Sequence, residues 1–107
     1  MLTCSPLGFT EFLSRLNRDI WTLSTSGQDH WENYQFGPQR FKCYNPGLYD
    51  FNEIFVVAKQ NQHLIVFDEK SNQFGLSEID EKEIVKSWLV IGTLEQSLQS
   101  LSEFHGY

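Results

Sequence analysis

Cysteine is scarce in this chain: two thiols, Cys4 and Cys43, stand among 107 residues. Two isolated cysteines without C-x-x-C spacing build neither a zinc site nor a disulfide framework, and they read as small apolar side chains. Long apolar runs are also missing. The longest is five residues, against the roughly 18 to 20 that a membrane helix needs, and no basic segment followed by an apolar one opens the chain. The expectation is a cytoplasmic protein with no membrane contact. Cations are few, eight Lys and Arg against 14 Asp and Glu, for a formal net charge of −6. Such a surface repels phosphate backbones and disfavours nucleic-acid binding. A Gly-rich phosphate loop, a dinucleotide fingerprint and a G-x-S-x-G elbow are all absent. His30, His63 and His105 stand at no metal-ligand spacing, so neither cofactor nor metal is expected.

What the chain does contain is a centre. Residues 53–59 read Glu-Ile-Phe-Val-Val-Ala-Lys and residues 63–68 read His-Leu-Ile-Val-Phe-Asp, with Gln-Asn-Gln between them. Two runs rich in β-branched and aromatic residues joined by a short polar link predict adjacent antiparallel strands in a hairpin. Both runs are apolar almost throughout, which marks inner strands covered on both faces. Val56 and Val66, with Leu89 further on, are expected to be nearly fully buried.

Residues 5–23 predict an amphipathic helix. Ser5-Pro6 suits a cap and first turn, and Phe9, Phe12, Leu13, Leu16, Ile20 and Leu23 form the apolar stripe. Trp21 flanks that stripe and is expected to close the core edge. Residues 24–29, Ser-Thr-Ser-Gly-Gln-Asp, have loop composition. The alternation of residues 31–36 and 40–44 predicts a hairpin about Gly37-Pro38, with Tyr34, Phe36, Phe41 and Cys43 inward. Asn45-Pro46-Gly47 ends it. Phe74-Gly75-Leu76 reads as a short edge strand, and residues 88–91, Trp-Leu-Val-Ile, as a buried one. Thr93 with Gln96 forms a capping box opening a helix whose face is Leu94, Leu98 and Leu101, fraying near Gly106. The sum is one α+β domain over residues 1–107: a mainly antiparallel sheet of about five to six strands, with an N-terminal and a C-terminal helix packed on it.

Charge and aromatics supply the candidates for function. Residues 1–45 hold four acids and four bases, whereas residues 46–107 hold ten acids against four lysines. The excess is densest between positions 68 and 83, where Asp68, Glu69, Glu78, Asp80, Glu81 and Glu83 meet Lys70 and Lys82. A basic protein partner would be steered to such a surface; the alternative is a solvated acidic loop. Trp31, Tyr34, Phe36, Phe41, Tyr44, Tyr49 and Phe51 crowd into 21 residues, more than one hairpin face buries, so they serve the core, an interface, or both. Tyr49 and Phe51 are the candidate anchors beside the acids. A nucleophile constellation of Cys43, His63 and Asp68 is conceivable on neighbouring strands, yet His63 shares a strand face with Ile65 and Phe67, where a hydrogen-bonded structural histidine is the simpler reading.

The second half, with Phe-Val-Val-Ala, a polar link, Leu-Ile-Val-Phe-Asp, Phe-Gly-Leu, an acidic connector and then Trp-Leu-Val-Ile-Gly-Thr-Leu-Glu-Gln-Ser-Leu, resembles the SUKH superfamily. Residues 7–17, Leu-Gly-Phe-Thr-Glu-Phe-Leu-Ser-Arg-Leu-Asn, are similar to that family's opening helix. The chain departs from the pattern at residues 59–62, where Lys-Gln-Asn-Gln replaces a glycine-rich, acid-bearing turn. Many SUKH members are bacterial immunity proteins, so the resemblance implies a non-enzymatic protein that binds and neutralises a toxin domain. Two rivals stand beside it: a small structural or regulatory subunit with no toxin partner, and a small hydrolase using Cys43 or His63.

Overall fold

The computed structural model describes residues 8–42, 53–69, 71–82, 84–85 and 88–103. The expectations placed on Cys4, Ser5, Pro6, Cys43 to Phe51, Glu83, His105 and Gly106 lie outside these residues. The described elements are α1 (Phe9–Trp21), α2 (Thr25–Tyr34), β1 (Gln35–Lys42), β2 (Glu53–Gln60), β3 (His63–Asp68), β4 (Gln73–Glu78), β5 (Leu89–Gly92) and α3 (Leu94–Ser102). The five strands form one antiparallel sheet in the order β1-β2-β3-β4-β5, each strand bonded to its neighbours in sequence. With helices at both ends of the described chain and one sheet between them, the architecture is α+β.

The two central runs are the inner strands β2 and β3, in the register Phe55 to Phe67, Val56 to Val66 and Gln60 to His63. Asn61 turns the hairpin at φ 58°, a left-handed conformation that asparagine tolerates better than most residues. Because β2 and β3 are apolar on both sides, the sheet has two cores. Phe55, Val57, Ile65, Phe67 and Phe74 meet Phe12 and Leu16 of α1, Leu23, and Leu94, Leu98 and Leu101 of α3 on the helical face. Ile54, Val56, Leu64 and Val66 meet Ile79 and Val85 on the other, with Phe36, Phe41 and Trp88 packed at its margin. Phe12, Leu16 and Ile20 are spaced as one helical face requires, and Leu23 joins the core from just beyond the end of α1. The α3 capping box is formed: Thr93 Oγ1 accepts the Gln96 N–H at 3.2 Å and Gln96 Oε1 accepts the Thr93 N–H at 3.0 Å.

Four local expectations are corrected. Residues 25–34 are helical, neither loop nor strand: Ser24 is an N-cap whose Oγ accepts the Gly27 N–H at 3.1 Å, which converts a turn-rich composition into a helix start. Gly27, Trp31 and Tyr34 then share one face, with the two rings packed on the helical core. Gly37-Pro38 sits inside a single strand, β1, where the register shifts between Gln35 and Gln39. Gly37 has φ 76°, and a Cβ there would meet the Gln39 nitrogen at 2.5 Å, so the irregularity requires glycine. Phe74-Gly75-Leu76 belongs to β4, an inner strand, and the edge on that side is β5. Leu89 is accordingly 68% exposed, whereas Val56 and Val66 are fully buried as expected. Finally, Trp21 closes no core, being 85% exposed at the end of α1.

The β4–β5 connector covers the face that the helices leave open. Its Ile79 N–H donates to Gln62 O in the β2–β3 turn, its Val85 N–H donates to Lys42 O at the end of β1, and Ile79 and Val85 bridge each other. A short strap thus caps the second core with two buried aliphatic side chains. At Gly75 a Cβ would lie 2.5 Å from the Leu89 carbonyl oxygen, so the close approach of β5 to β4 depends on a missing side chain.

Candidate functional site

The acidic residues singled out from the sequence divide into two groups. Asp68 ends β3 and is 8% exposed. Its Oδ2 accepts the Trp88 Nε1–H at 3.0 Å, and its Oδ1 accepts the Ser71 N–H at 3.2 Å. The Glu69 side chain is 4% exposed and faces the Arg40 guanidinium at 3.7 Å. Asp80 turns its Oδ1 onto the Lys82 and Ile84 N–H groups at 2.8 and 2.9 Å, closing the connector turn. These three carboxylates hold the fold together.

Glu78 and Glu81 point outward. The Glu78 side chain is 54% exposed, with its Oε1 3.5 Å from His63 Nε2 across the β3–β4 pair. Glu81 is exposed at the connector turn. The described acidic surface of this segment is therefore narrower than the sequence suggests: two exposed carboxylates, Glu78 beside His63 and Glu81 in the connector turn. Tyr49, Phe51 and Glu83 lie outside the described residues.

His63 and Asp68 occupy opposite ends of β3. Five residue steps along the strand separate them by about 16 Å and point them to opposite faces. That arrangement does not bring them together with one nucleophile, and Cys43 lies outside the described residues. Among the described residues no group of three His, Cys, Asp or Glu side chains is placed to hold a metal ion, and no helix is long and apolar enough to cross a membrane.

A second polar locus was not singled out from the sequence. Glu95, in the first turn of α3, accepts the Ser24 N–H at 2.8 Å and the Ser24 hydroxyl at 2.6 Å, so one carboxylate joins the start of α2 to the start of α3. Beside it, Ser26, His30, Gln99, Ser102 and Glu103 line a cleft of about 240 Å³ between the two helices. The Ser24 hydroxyl, then the Ser24 N–H, hold the Glu95 carboxyl below its ordinary pKa, and the charge of His30 acts in the same direction. The only sequence signals were the serine before α2 and an acid in the first turn of α3, a pair 71 positions apart that nothing local connects.

A lowered carboxylate pKa stabilises the fold only while the group is ionised in the native state. The Glu95 contribution is present above the ordinary glutamate range and is lost as pH falls through the lowered native value. Melting temperature measured from pH 7 down to pH 3 should accordingly fall less steeply for Glu95→Gln, which keeps an acceptor for Ser24 but cannot titrate, than for the parent chain. Parallel curves would show that the Glu95 charge plays no part.

Comparison with protein-family models, with curated proteins and with solved structures matches this chain to none of them.

Proposed function

We propose that the chain is a non-enzymatic protein-binding module, an immunity protein that neutralises a bacterial toxin domain by direct binding. The observation that carries this reading is the division of the acidic residues. Some carboxylates are committed to the fold, while Glu78, at the end of β4, and Glu81, in a connector fastened at both ends, are exposed. Fixed, exposed charge of one sign on a packed scaffold suits fast encounter with a basic partner. The resemblance of the central strands and closing helix to SUKH proteins supports the same reading.

The test begins with the neighbouring gene: a large secreted protein encoded directly upstream and ending in a small basic domain would supply the toxin. Co-expression should protect cells from it, and the two purified proteins should form a complex. Within that complex, Glu78→Lys with Glu81→Lys should slow association about tenfold at low salt, and the loss should shrink near 0.1 M salt, where the screening length is about 10 Å. Asp80 is kept intact in this variant because its carboxylate closes the turn. An unchanged association rate in stopped-flow mixing removes the connector from the interface, and failure to protect or to form a complex removes the toxin reading altogether. A structural or regulatory subunit would show no such protection.

A further inference from the structure

Half of the eight cations in this acidic chain gather about one concavity. It lies where β1 meets the connector turn, measures about 330 Å³, and is lined by Phe36, Gln39, Phe41, Lys42, Lys82 and Ile84, with Arg40 at its back. The Arg40 guanidinium is taken by Glu69 and by the Phe55 ring, 4.1 Å from its centroid. Lys42 and Lys82 are exposed and form no ion pair among the described residues. Lys59 places its Nζ 5.6 Å from the Phe36 centroid. The Phe36 and Phe41 rings, half-buried and 5.8 Å apart, make an apolar floor. Among the described residues three acids stand near: Glu53 opposite Lys42 in the β1–β2 register, Asp80 turned onto the Lys82 and Ile84 N–H groups, and Glu81 exposed.

We propose that this concavity docks an acidic segment of a protein partner, a carboxylate beside an apolar side chain. The apolar side chain covers the Phe36 and Phe41 rings, and the carboxylate sits between the Lys42 and Lys82 ammonium groups. The charge argument is local. The Lys59 ammonium over the Phe36 ring, and the lysines that line the same concavity, lose solvation when a partner covers them, and an anion restores it. A phosphate backbone would bring many charges against a chain of net charge −6, whereas an acidic protein segment brings one or two to this basic notch. Lys82 adjoins the outward Glu81, so the notch also places a positive contact next to a negative one, and that pattern fixes register and rejects partners of uniform charge. The inference goes beyond the toxin reading and stands whether or not the partner is a toxin.

The test titrates the full chain with a short synthetic peptide alternating Glu and Leu and follows backbone amide shifts; a Gln-Leu peptide is the control. Shifts should cluster at Phe36, Phe41, Lys42, Lys82 and Ile84. Lys42→Glu with Lys82→Glu should weaken binding at least about tenfold, while Arg18→Glu, on the exposed side of α1, should leave it unchanged. Both lysines are exposed, so the variant folds, as circular dichroism would verify. The proposal is overturned by any of four results: no binding at about 1 mM, equal binding of the Gln-Leu peptide, shifts at another surface, or lysine variants that behave like Arg18→Glu. A single-stranded oligonucleotide binding the notch more tightly than the peptide would overturn it in favour of nucleic acid. Self-association abolished by the lysine variants would overturn it in favour of a second copy of the chain.

Discussion

Replacing Phe67 with alanine should cost about 3 to 5 kcal/mol in urea unfolding, enough to leave a domain of this size barely folded. Phe67 is fully buried near the end of β3. Its ring centroid lies 5.1 Å from that of Phe12 and 5.1 Å from that of Phe74, and Phe12 in turn stacks on Phe55 at 4.1 Å. Truncation opens a cavity where α1 and strands β2, β3 and β4 all meet, and it removes edge and face contacts worth more than area alone. Arg15 amplifies the effect. Its guanidinium lies 4.8 Å from the Phe67 centroid while bonding to the Asn72 side chain and, at 3.1 Å, to the Asn72 carbonyl, so loss of the ring also loosens α1 from the β3–β4 turn. Phe67→Leu, which refills most of the space, should recover more than half of the loss. A midpoint shift for Phe67→Ala no larger than that of an exposed residue such as Trp21 would contradict this packing.

The second large effect should come from Asp68→Ala, at about 2 to 3 kcal/mol. The carboxylate receives an indole N–H from the far end of the connector and a backbone N–H in the β3–β4 turn. Hydrogen bonds to a charged acceptor are worth about 1.5 to 3 kcal/mol each, and removing the acceptor strands a part-buried donor. Asp68→Asn keeps an acceptor and should lose less than half as much. Trp88 reports the change directly. Its fluorescence should shift to the red in Asp68→Ala well below the unfolding midpoint, because the indole loses its partner while the helical face stays packed. If fluorescence and circular dichroism change together, the strap is no looser than the rest of the fold.

The legible parts of this fold were those whose signal is complete within a few residues. Residues 54–58 and 64–67 are continuous β-branched and aromatic runs, so their pairing and burial followed directly, and Thr93 with Gln96 carried its helix start in four residues. α2 was illegible because its capping serine sits in a Ser-Thr-Ser-Gly stretch with loop composition, and because Tyr34 and Phe36 also fit alternation. Only the packing of Trp31 and Tyr34 on the helical core decides between the two periods. Leu89 was misjudged since an apolar run shows that a strand exists, not where it stands in the sheet, and β5 takes the edge. The acids were misweighed for a similar reason. Asp68, Glu69 and Asp80 read as surface charge, yet what each one bonds is set by Trp88, Arg40 and the connector turn, none of which marks its partner locally. The basic notch escaped entirely, as Lys42, Lys59 and Lys82 are spread over 41 positions of an acidic chain.

The arrangement of α1 also bears on the order in which the chain leaves the ribosome. Phe12 and Leu16 are made first, but the rings that receive them, Phe55, Phe67 and Phe74, belong to strands synthesised much later. At about 5 to 20 residues per second, the apolar face of α1 waits several seconds for its cover. During that interval the nascent segment is an amphipathic helix with nowhere to dock, a natural client for a holdase chaperone. Release of nascent chains from such a chaperone once β4 has emerged from the ribosome, and not before, is the signature expected of this topology.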